Sequence, residues 1–463
     1  MKPLVIFSGI LLLNVVLWVT RGMILPPTEA LSLGGIVLSA GWVGWAFFSV
    51  FRPGTGRAPA RWIFFSILLL VFSALLLIIR TNLMYDGLTQ TNPELLFRGP
   101  IQITPKTIGS FLVVALWAYF IMSLLGIYLV RTNAKSSELL FGCLLGLAFS
   151  LHLLVLRIVP FPFIDVFTAI SEAVVALAEG KNPYVISYTD IYQGKGLSPS
   201  GFGYLPGYLP IGIIGMLLGD IRMGNLAVLV GCVWFLWKFL QERPIRDRCI
   251  LSSLFLLGGG SLFVTEQAWI DGALCLGILA SLWCIYKGKL TTAALWAGWF
   301  CATKQYGAIG FIFLLGLILR KDGVKNACQF GALSFVVGIL WQIPFLLWDR
   351  EKYLAAAYFG IGELPFRPDA FTLLSVCHRW GLPFGWLPWV GGLMVLALWL
   401  QFIRGKGNAR ISRVLFFISL AYLVTFLSNR HAFCNYFQLA YWLLVASWST
   451  LILDDDSKSP SMC

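Results

Sequence analysis

A few ionisable residues in this chain sit where charge is expensive, and their types suit group transfer: carboxylates that accept a proton and cations that stabilise an anion. Asp165 heads a long polar stretch between Phe163 and Phe167. Aromatic neighbours at an apolar boundary raise a carboxyl pKa toward the range of a general base. The structural alternative is an acid that favours the positive end of the following helix. Glu172, two turns on, is either a ligand-facing acid or part of a solvated face. Lys304 stands alone between two short apolar runs, where a cation needs a partner or snorkels to the interface. Asp271 and Glu266 are its candidate partners; either is equally a contact for an acceptor. Arg367 and Asp369 form a salt bridge or bind substrate. Arg430 and His431 precede the last apolar run, as ligand groups or interface anchors. His152 and His378 show no ligand spacing, and there is no Asp-x-Asp, so neither a metal nor any other cofactor is expected.

The elements that must position these groups follow from composition. Of 463 residues 59% are hydrophobic and 12% charged, with mean hydropathy +0.83; soluble domains carry about twice that charge fraction. Apolar runs at 3–20, 31–51, 62–80, 109–130, 139–159, 224–241, 249–264, 270–286, 290–303, 306–320, 325–348, 386–403, 411–428 and 433–452 predict about fourteen membrane-spanning helices. The expected fold is all-α: a polytopic transmembrane helical bundle with interfacial helices in a large outer loop. Met1–Thr20 has no small-residue cleavage site after it and reads as an uncleaved first span. With the Arg52, Arg57, Arg61 loop in the cytosol, the cytosolic side holds 20 Lys and Arg against 7 Asp and Glu, and the outer side 14 against 14. The whole +13 charge then lies inside and both termini are cytosolic. The basic character thus reflects membrane orientation; no clustered reading surface for nucleic acid exists.

The large outer segment is Pro160–Met223. Phe163, Phe167, Ile170, Val174 and Leu177 recur at helical spacing, predicting an amphipathic helix over 163–180. Its apolar face is expected in the acyl boundary, with Asp165, Thr168, Glu172 and Glu179 opposite. Gly180 is a C-terminal cap and Pro183 prevents continuation. Gly180-Lys-Asn-Pro-Tyr184 follows, where Lys181 and Tyr184 either touch a ligand or serve turn chemistry. Then come Tyr204 and Tyr208 in Gly203-Tyr-Leu-Pro-Gly-Tyr-Leu-Pro210, and a short apolar run, Ile211–Leu218, read as interfacial or re-entrant. A second outer loop runs from Asp349 to about Phe384.

An Asp opening a large outer loop, a helix ending in Gly-Lys-Asn-Pro-Tyr, and a Tyr/Pro motif before the next span resemble the GT-C glycosyltransferases, in particular the polyprenyl-phosphate-mannose-dependent mannosyltransferases of glycosyltransferase family 87 and their relatives. Ala302-Thr-Lys304-Gln-Tyr, Phe366-Arg367-Pro-Asp369-Ala-Phe and Asn429-Arg-His-Ala-Phe-Cys-Asn435-Tyr436 match later motifs of the family in order. The resemblance covers roughly 140–452. Two features depart from it: the acid follows the fifth span rather than the first, and the family's Tyr-Pro-Pro is here Tyr204-Leu-Pro206 and Tyr208-Leu-Pro210.

The resemblance implies transfer of a sugar, a mannose or similar hexose or pentose, from a polyprenyl-phosphate donor to a lipid- or polymer-linked glycan acceptor at the outer face, with inversion. It implies Asp165 as general base; Lys304, Arg430 and His431 at the donor phosphate; and Glu172, Lys181, Tyr184, Tyr204, Tyr208, Asp271, Arg367 and Asp369 as substrate contacts. Membrane lipid is a further partner. The expected organisation is a four-span module (1–138), a GT-C-like core (139–350) holding the catalytic loop 160–223, a C-terminal part (351–453) with the second loop, and a tail (454–463). The competing readings are a lipid or oligosaccharide transporter, expected to carry mid-span charges and matching broken helices, and a non-catalytic subunit of a glycan assembly complex.

Overall fold

The computed structural model describes residues 3–20, 29–51, 121, 137–162, 164–191, 201–258, 260–360, 365–405 and 410–456. All regular structure among them is helical. The chain runs through α1 (Pro3–Thr20), α2 (Glu29–Phe51), α3 (Ser137–Ile158) and the short α4 (Asp165–Ala178). A 3-10 turn, Pro206–Tyr208, leads into α5 (Leu209–Leu217) and α6 (Arg222–Phe239). Then come α7 (Ile245–Leu257), α8 (Ser261–Glu266), α9 (Asp271–Tyr286), α10 (Leu290–Cys301), α11 (Gly307–Trp348) and α12 (Arg350–Leu354), which runs into a π turn at Ala355–Phe359. The chain ends with α13 (Leu373–Arg379), α14 (Leu387–Arg404), α15 (Ile411–Leu427) and α16 (Cys434–Asp456).

Among the described residues three helices are long and apolar enough to cross a membrane, in α3, α11 and α14; the pair Pro206–Leu217 and Arg222–Phe239, bent by 111°, makes a fourth if counted as one broken span. That bend fits the re-entrant reading of Ile211–Leu218. Shorter apolar helices lie at Val5–Leu17, Ala30–Ala46, Asp271–Tyr286, Leu290–Cys301 and Ile411–Leu427. The runs at 62–80 and 109–130 fall outside the described residues, Ile121 apart.

One expected span differs in outline. The run 249–264 is two helices, α7 and α8, because the chain turns at Gly258, where a Cβ would overlap the hydroxyl of Tyr441 at 1.7 Å. The runs 306–320 and 325–348 form the two halves of α11, separate helices that meet at a kink at Gly323 (φ 84°, ψ 177°), as the two expected runs predict.

The core lies around α9, α15 and α16. Trp442 and Trp448 of α16 are fully buried, and the Trp442 indole donates to Phe255 O at 3.0 Å. A satisfied indole N–H lets so large a ring be buried without a polar penalty. Phe7 of α1 packs on Trp448, centroids 5.6 Å apart. The first helix thus packs directly against the last.

The amphipathic helix forms as the spacing predicts. Gly180 takes φ 72°, while Gly180 N and Lys181 N bond back to Leu177 O (3.1 Å) and Ala176 O (2.8 Å), a Schellman end. The middle of its apolar stripe packs against protein. Ile170 and Val174 are fully buried and pack over Gly212 of α5, where a Cβ would meet Val174 at 2.8 Å. α5 thus supplies an apolar partner for this face.

Candidate active site

Lys304 lies in the turn joining α10 to α11, and Asp271 is the first residue of α9. Packing of α9 on α10 brings them together: Lys304 Nζ is 3.1 Å from Asp271 Oδ1 and 3.2 Å from Oδ2. Asp271 is 0% and Lys304 6% exposed. Asn435, in the first turn of α16, donates its side-chain amide to Asp271 Oδ2. Of the two partners open to Lys304 in the sequence, the structure uses Asp271; Glu266 Oε1 instead accepts from Gln267 Nε2 at 2.9 Å. The Lys304 ammonium also faces the rings of Tyr436 (4.7 Å), Tyr306 (4.8 Å) and Tyr204 (5.8 Å), each a cation–π contact in a desolvated setting. Burial pulls the Lys304 ammonium below the usual lysine range, and the Asp271 carboxylate opposes that shift. Ala268, three residues before Asp271, holds φ 60°, a backbone conformation sparsely populated by non-glycine residues and concentrated at functional sites.

Tyr204 is fixed from several sides. Tyr184 donates its hydroxyl to Tyr204 O at 2.8 Å, Gln305 donates to Gly203 O at 3.1 Å, and Gly207 N bonds to Ala302 O at 2.7 Å. The Trp299 indole donates to Gly207 O at 3.0 Å. A Cβ on Gly207 would lie 2.6 Å from Ala302 O, so only glycine permits this approach. Burial first, then the Asp165 carboxylate, holds the Tyr204 hydroxyl well above the usual tyrosine range.

Asp165 is the first residue of α4 and is half-buried. Its Oδ1 accepts from Val166 N at 2.9 Å. Its charge bears on both Tyr204 and Tyr436, the rings that face Lys304. Tyr204, Asp271, Lys304, Tyr306, Asn435 and Tyr436 thus form one cluster at one end of the bundle, and the Asp165 carboxylate acts electrostatically on two of its rings.

Arg222 holds the elements of this end together, and nothing in the sequence reading singled it out. It is 0% exposed. It ion-pairs with Asp220 and donates to Val159 O (2.6 Å), Leu156 O (3.1 Å), Pro160 O (3.4 Å) and Glu266 O (3.3 Å). Its guanidinium lies 5.3 Å from the ring centroid of Phe167. One side chain therefore ties the end of α3, the helix that begins with Asp165, and the end of α8 before Asp271. The only signal in the sequence is a pair of charges, Asp220 and Arg222, directly before an apolar run.

Arg367, Asp369, Arg430 and His431 make a second cluster. Arg367 forks onto Asp369 at 2.7 and 2.6 Å and lies over the Phe433 ring at 5.0 Å. Phe371 N bonds to Ala432 O at 2.9 Å, joining the two segments. Burial, then Arg430 and Arg367, holds His431 down to about 4 against the pull of Asp369. The buried His431 Nε2 has no hydrogen-bond partner among the described residues, nor has Tyr306 Oη.

Four predicted contacts are seen with local partners. Lys181 forms an exposed ion pair with Glu179 at 2.7 Å. Glu172 accepts from Thr189 N at 3.0 Å. Tyr208 donates to Asn225. Tyr184 reaches the site only through Tyr204. Asn435 and Tyr436 close the Asn429–Tyr436 motif and Tyr306 closes the Ala302–Tyr306 motif; neither motif marks these residues as site groups in the sequence alone. Among the described residues no group of three or more His, Cys, Asp or Glu side chains is placed to hold a metal ion.

Beside the Gly207 turn an apolar groove of about 620 Å³ runs between α5, α6, α9, α10 and the second half of α11, lined among others by Pro210, Ile214, Leu295, Trp299, Val337 and Trp341. Trp299 belongs to both the groove and the turn that carries Tyr204. In comparisons with known proteins the chain matches no family model, no curated protein and no solved structure.

Proposed function

We propose that this chain is an integral-membrane glycosyltransferase that moves a sugar from a polyprenyl-phosphate donor to a lipid- or polymer-linked glycan at the extracytoplasmic face, with inversion. The observation that carries the reading is the meeting of Asp165, Tyr204, Asp271 and Lys304 at one end of an apolar bundle, from elements far apart in sequence, against an apolar groove. The acceptor hydroxyl oxygen attacks the anomeric carbon as the bond from that carbon to the phosphate oxygen breaks. Asp165 takes the hydroxyl proton, and the lipid phosphate leaves as an anion beside Lys304, Arg430 and His431. The groove suits the isoprenoid chain: its wall is apolar and it adjoins the Tyr204 turn.

The sidedness drawn from charge has support in the packing. Lys321 donates to Ile285 O at 3.1 Å, and Arg320 donates to Phe402 O (2.7 Å) and Gly405 O (2.6 Å). These basic residues gather at the far ends of the helices that start at the site.

The test is a vesicle assay with a panel of polyprenyl-phosphate sugars. Wild type transfers sugar covalently, and Asp165→Asn lowers the rate about 10²–10⁴-fold, the contribution of a general base. Full activity in Asp165→Asn removes the base. Lipid movement without covalent transfer establishes the transporter instead.

A further inference from the structure

Tyrosines around the site use their hydroxyls in two ways. Tyr184 and Tyr188 donate to Tyr204 O and Pro183 O, Tyr208 to Asn225 and Tyr353 to Gln342. Tyr422 accepts from Gly310 N at 3.3 Å. These phenols are tied off within the chain. The three whose rings face Lys304 differ: Tyr204, Tyr306 and Tyr436 make no hydrogen bond through their hydroxyls among the described residues. Tyr306 Oη is enclosed by protein. Tyr204 and Tyr436 are partly exposed, and their hydroxyls are not enclosed.

Two observations point these open hydroxyls at a ligand. The first is rigidity. Tyr204 is held by the bonds of Tyr184 to its carbonyl and of Gln305 to Gly203 O. Tyr436 packs on Tyr306, centroids 5.2 Å apart, and edge-on to Phe426 at 5.0 Å; its neighbour Asn435 is bonded to Asp271. Fixed rings with free ends bind a partner at little ordering cost. The second is position. The Lys304 ammonium lies 5.8 Å from the Tyr204 ring and 4.7 Å from the Tyr436 ring, and the Asp165 carboxylate acts on the same two residues. Both tyrosines are thus within reach of the group assigned to the leaving phosphate and of the group assigned to the acceptor proton. The anomeric carbon reacts between phosphate and acceptor oxygens, and the sugar's own hydroxyls surround it. A phenol donates and accepts, as a sugar hydroxyl does, whereas an ionised phosphate oxygen only accepts.

We infer that Tyr204 and Tyr436 form the sugar subsite of the donor, each phenol hydroxyl pairing with a hydroxyl of the transferred sugar. The inference rests on the transferase reading. It makes Tyr436 a substrate contact, and it gives Tyr204 a partner on the sugar rather than on the phosphate or the lipid. It also sets specificity: a sugar lacking one of the paired hydroxyls leaves a phenol unbonded in a filled pocket and is disfavoured for that reason.

The experiment takes the polyprenyl-phosphate sugar that the vesicle panel selects, together with its singly deoxygenated forms, and measures kcat/KM for the full-length protein. The variants are Tyr204→Phe and Tyr436→Phe, which keep the rings; thermal melting checks their fold. Each lowers kcat/KM with the intact donor about three- to tenfold, the loss of one hydrogen bond. For each variant one deoxy donor, poor with wild type, carries no further loss, because variant and analogue remove the two halves of one contact. Binding of sugar-free polyprenyl phosphate stays at the wild-type level in both variants. If the variants transfer like wild type, or if their losses multiply with those of every deoxy donor, the subsite is overturned while the transferase reading stands. The same holds if sugar-free polyprenyl phosphate is weakened as much as the donor, since the hydroxyls then serve the phosphate. If wild type transfers no sugar in the panel, the transferase reading falls, and this inference with it.

Discussion

Lys304 Nζ lies 3.1 and 3.2 Å from the two carboxylate oxygens of Asp271, thirty-three residues earlier in the chain. Both side chains are buried at the end of an apolar bundle, where neither would stay charged alone. The pair lets each charge offset part of the other's desolvation cost. It also fixes α9 against the α10–α11 turn and, through Asn435, against α16.

Single replacement of either partner is therefore more damaging than replacement of both. Lys304→Met leaves an uncompensated buried carboxylate and is expected to destabilise by about 3–5 kcal/mol. Lys304→Met with Asp271→Leu is expected to cost less than either single change, because apolar side chains of similar volume replace the pair. Thermal melts of the four proteins in one detergent read this directly. Additive losses would show that the two residues act independently.

The same pair marks where sequence stops being informative. Asp271 and Glu266 were both candidates for Lys304, because a helix pattern places both near one end of a run; which of them meets Lys304 depends on how α9 packs on α10. The helix over 165–178 and its Gly180 cap were legible because stripe and cap are local. The packing of Ile170 and Val174 on α5 was not, because α5 is set by a 111° bend beyond a Gly/Pro-rich stretch. Likewise the break after α7 follows from Tyr441, far along the chain, pressing on Gly258. Arg222 was invisible for a related reason: most of its partners are backbone carbonyls, which carry no residue signature, more than sixty positions away at Leu156, Val159 and Pro160.

Arg222 is expected to be essential for the integrity of this end. Arg222→Met removes donors from four carbonyls and strips Asp220 of its partner, at a cost of about 3–5 kcal/mol. Arg222→Lys keeps the charge but not the planar fork and should fall between. A melting temperature unchanged in Arg222→Met would refute the clamp.

Gly207→Ala tests the close approach that sets Tyr204. The added methyl would meet Ala302 O at 2.6 Å and its carbonyl carbon at 2.8 Å, both backbone atoms that cannot rotate away. The expected cost is about 1–3 kcal/mol, with a loss of transfer as Tyr204 moves off Lys304. Gly392→Ala in α14 is the comparison: nothing lies within 4 Å of its Cβ position, and alanine there should stabilise slightly. Equal behaviour of the two variants, by melting and by activity, would remove the argument for Gly207.

His431 gives a pH dependence whose sign is fixed. Burial and the nearby Arg430 and Arg367 lower its folded pKa to about 4 from an ordinary value of 6.5, with Asp369 the opposing charge. The folded protein thus keeps the ring neutral where the unfolded chain would already bind a proton. Unfolding takes up that proton between the two values, so stability rises with pH there. The contribution is complete above about 6.5, falls as pH drops toward about 4, and is gone below. In His431→Gln this component is absent. Between pH 7.5 and 4.5 the melting temperature of wild type should drop further than that of the variant, whatever carboxylates add to both. Parallel curves would mean that His431 titrates normally, and would also remove the desolvated environment in which its Nε2 is offered to a phosphate.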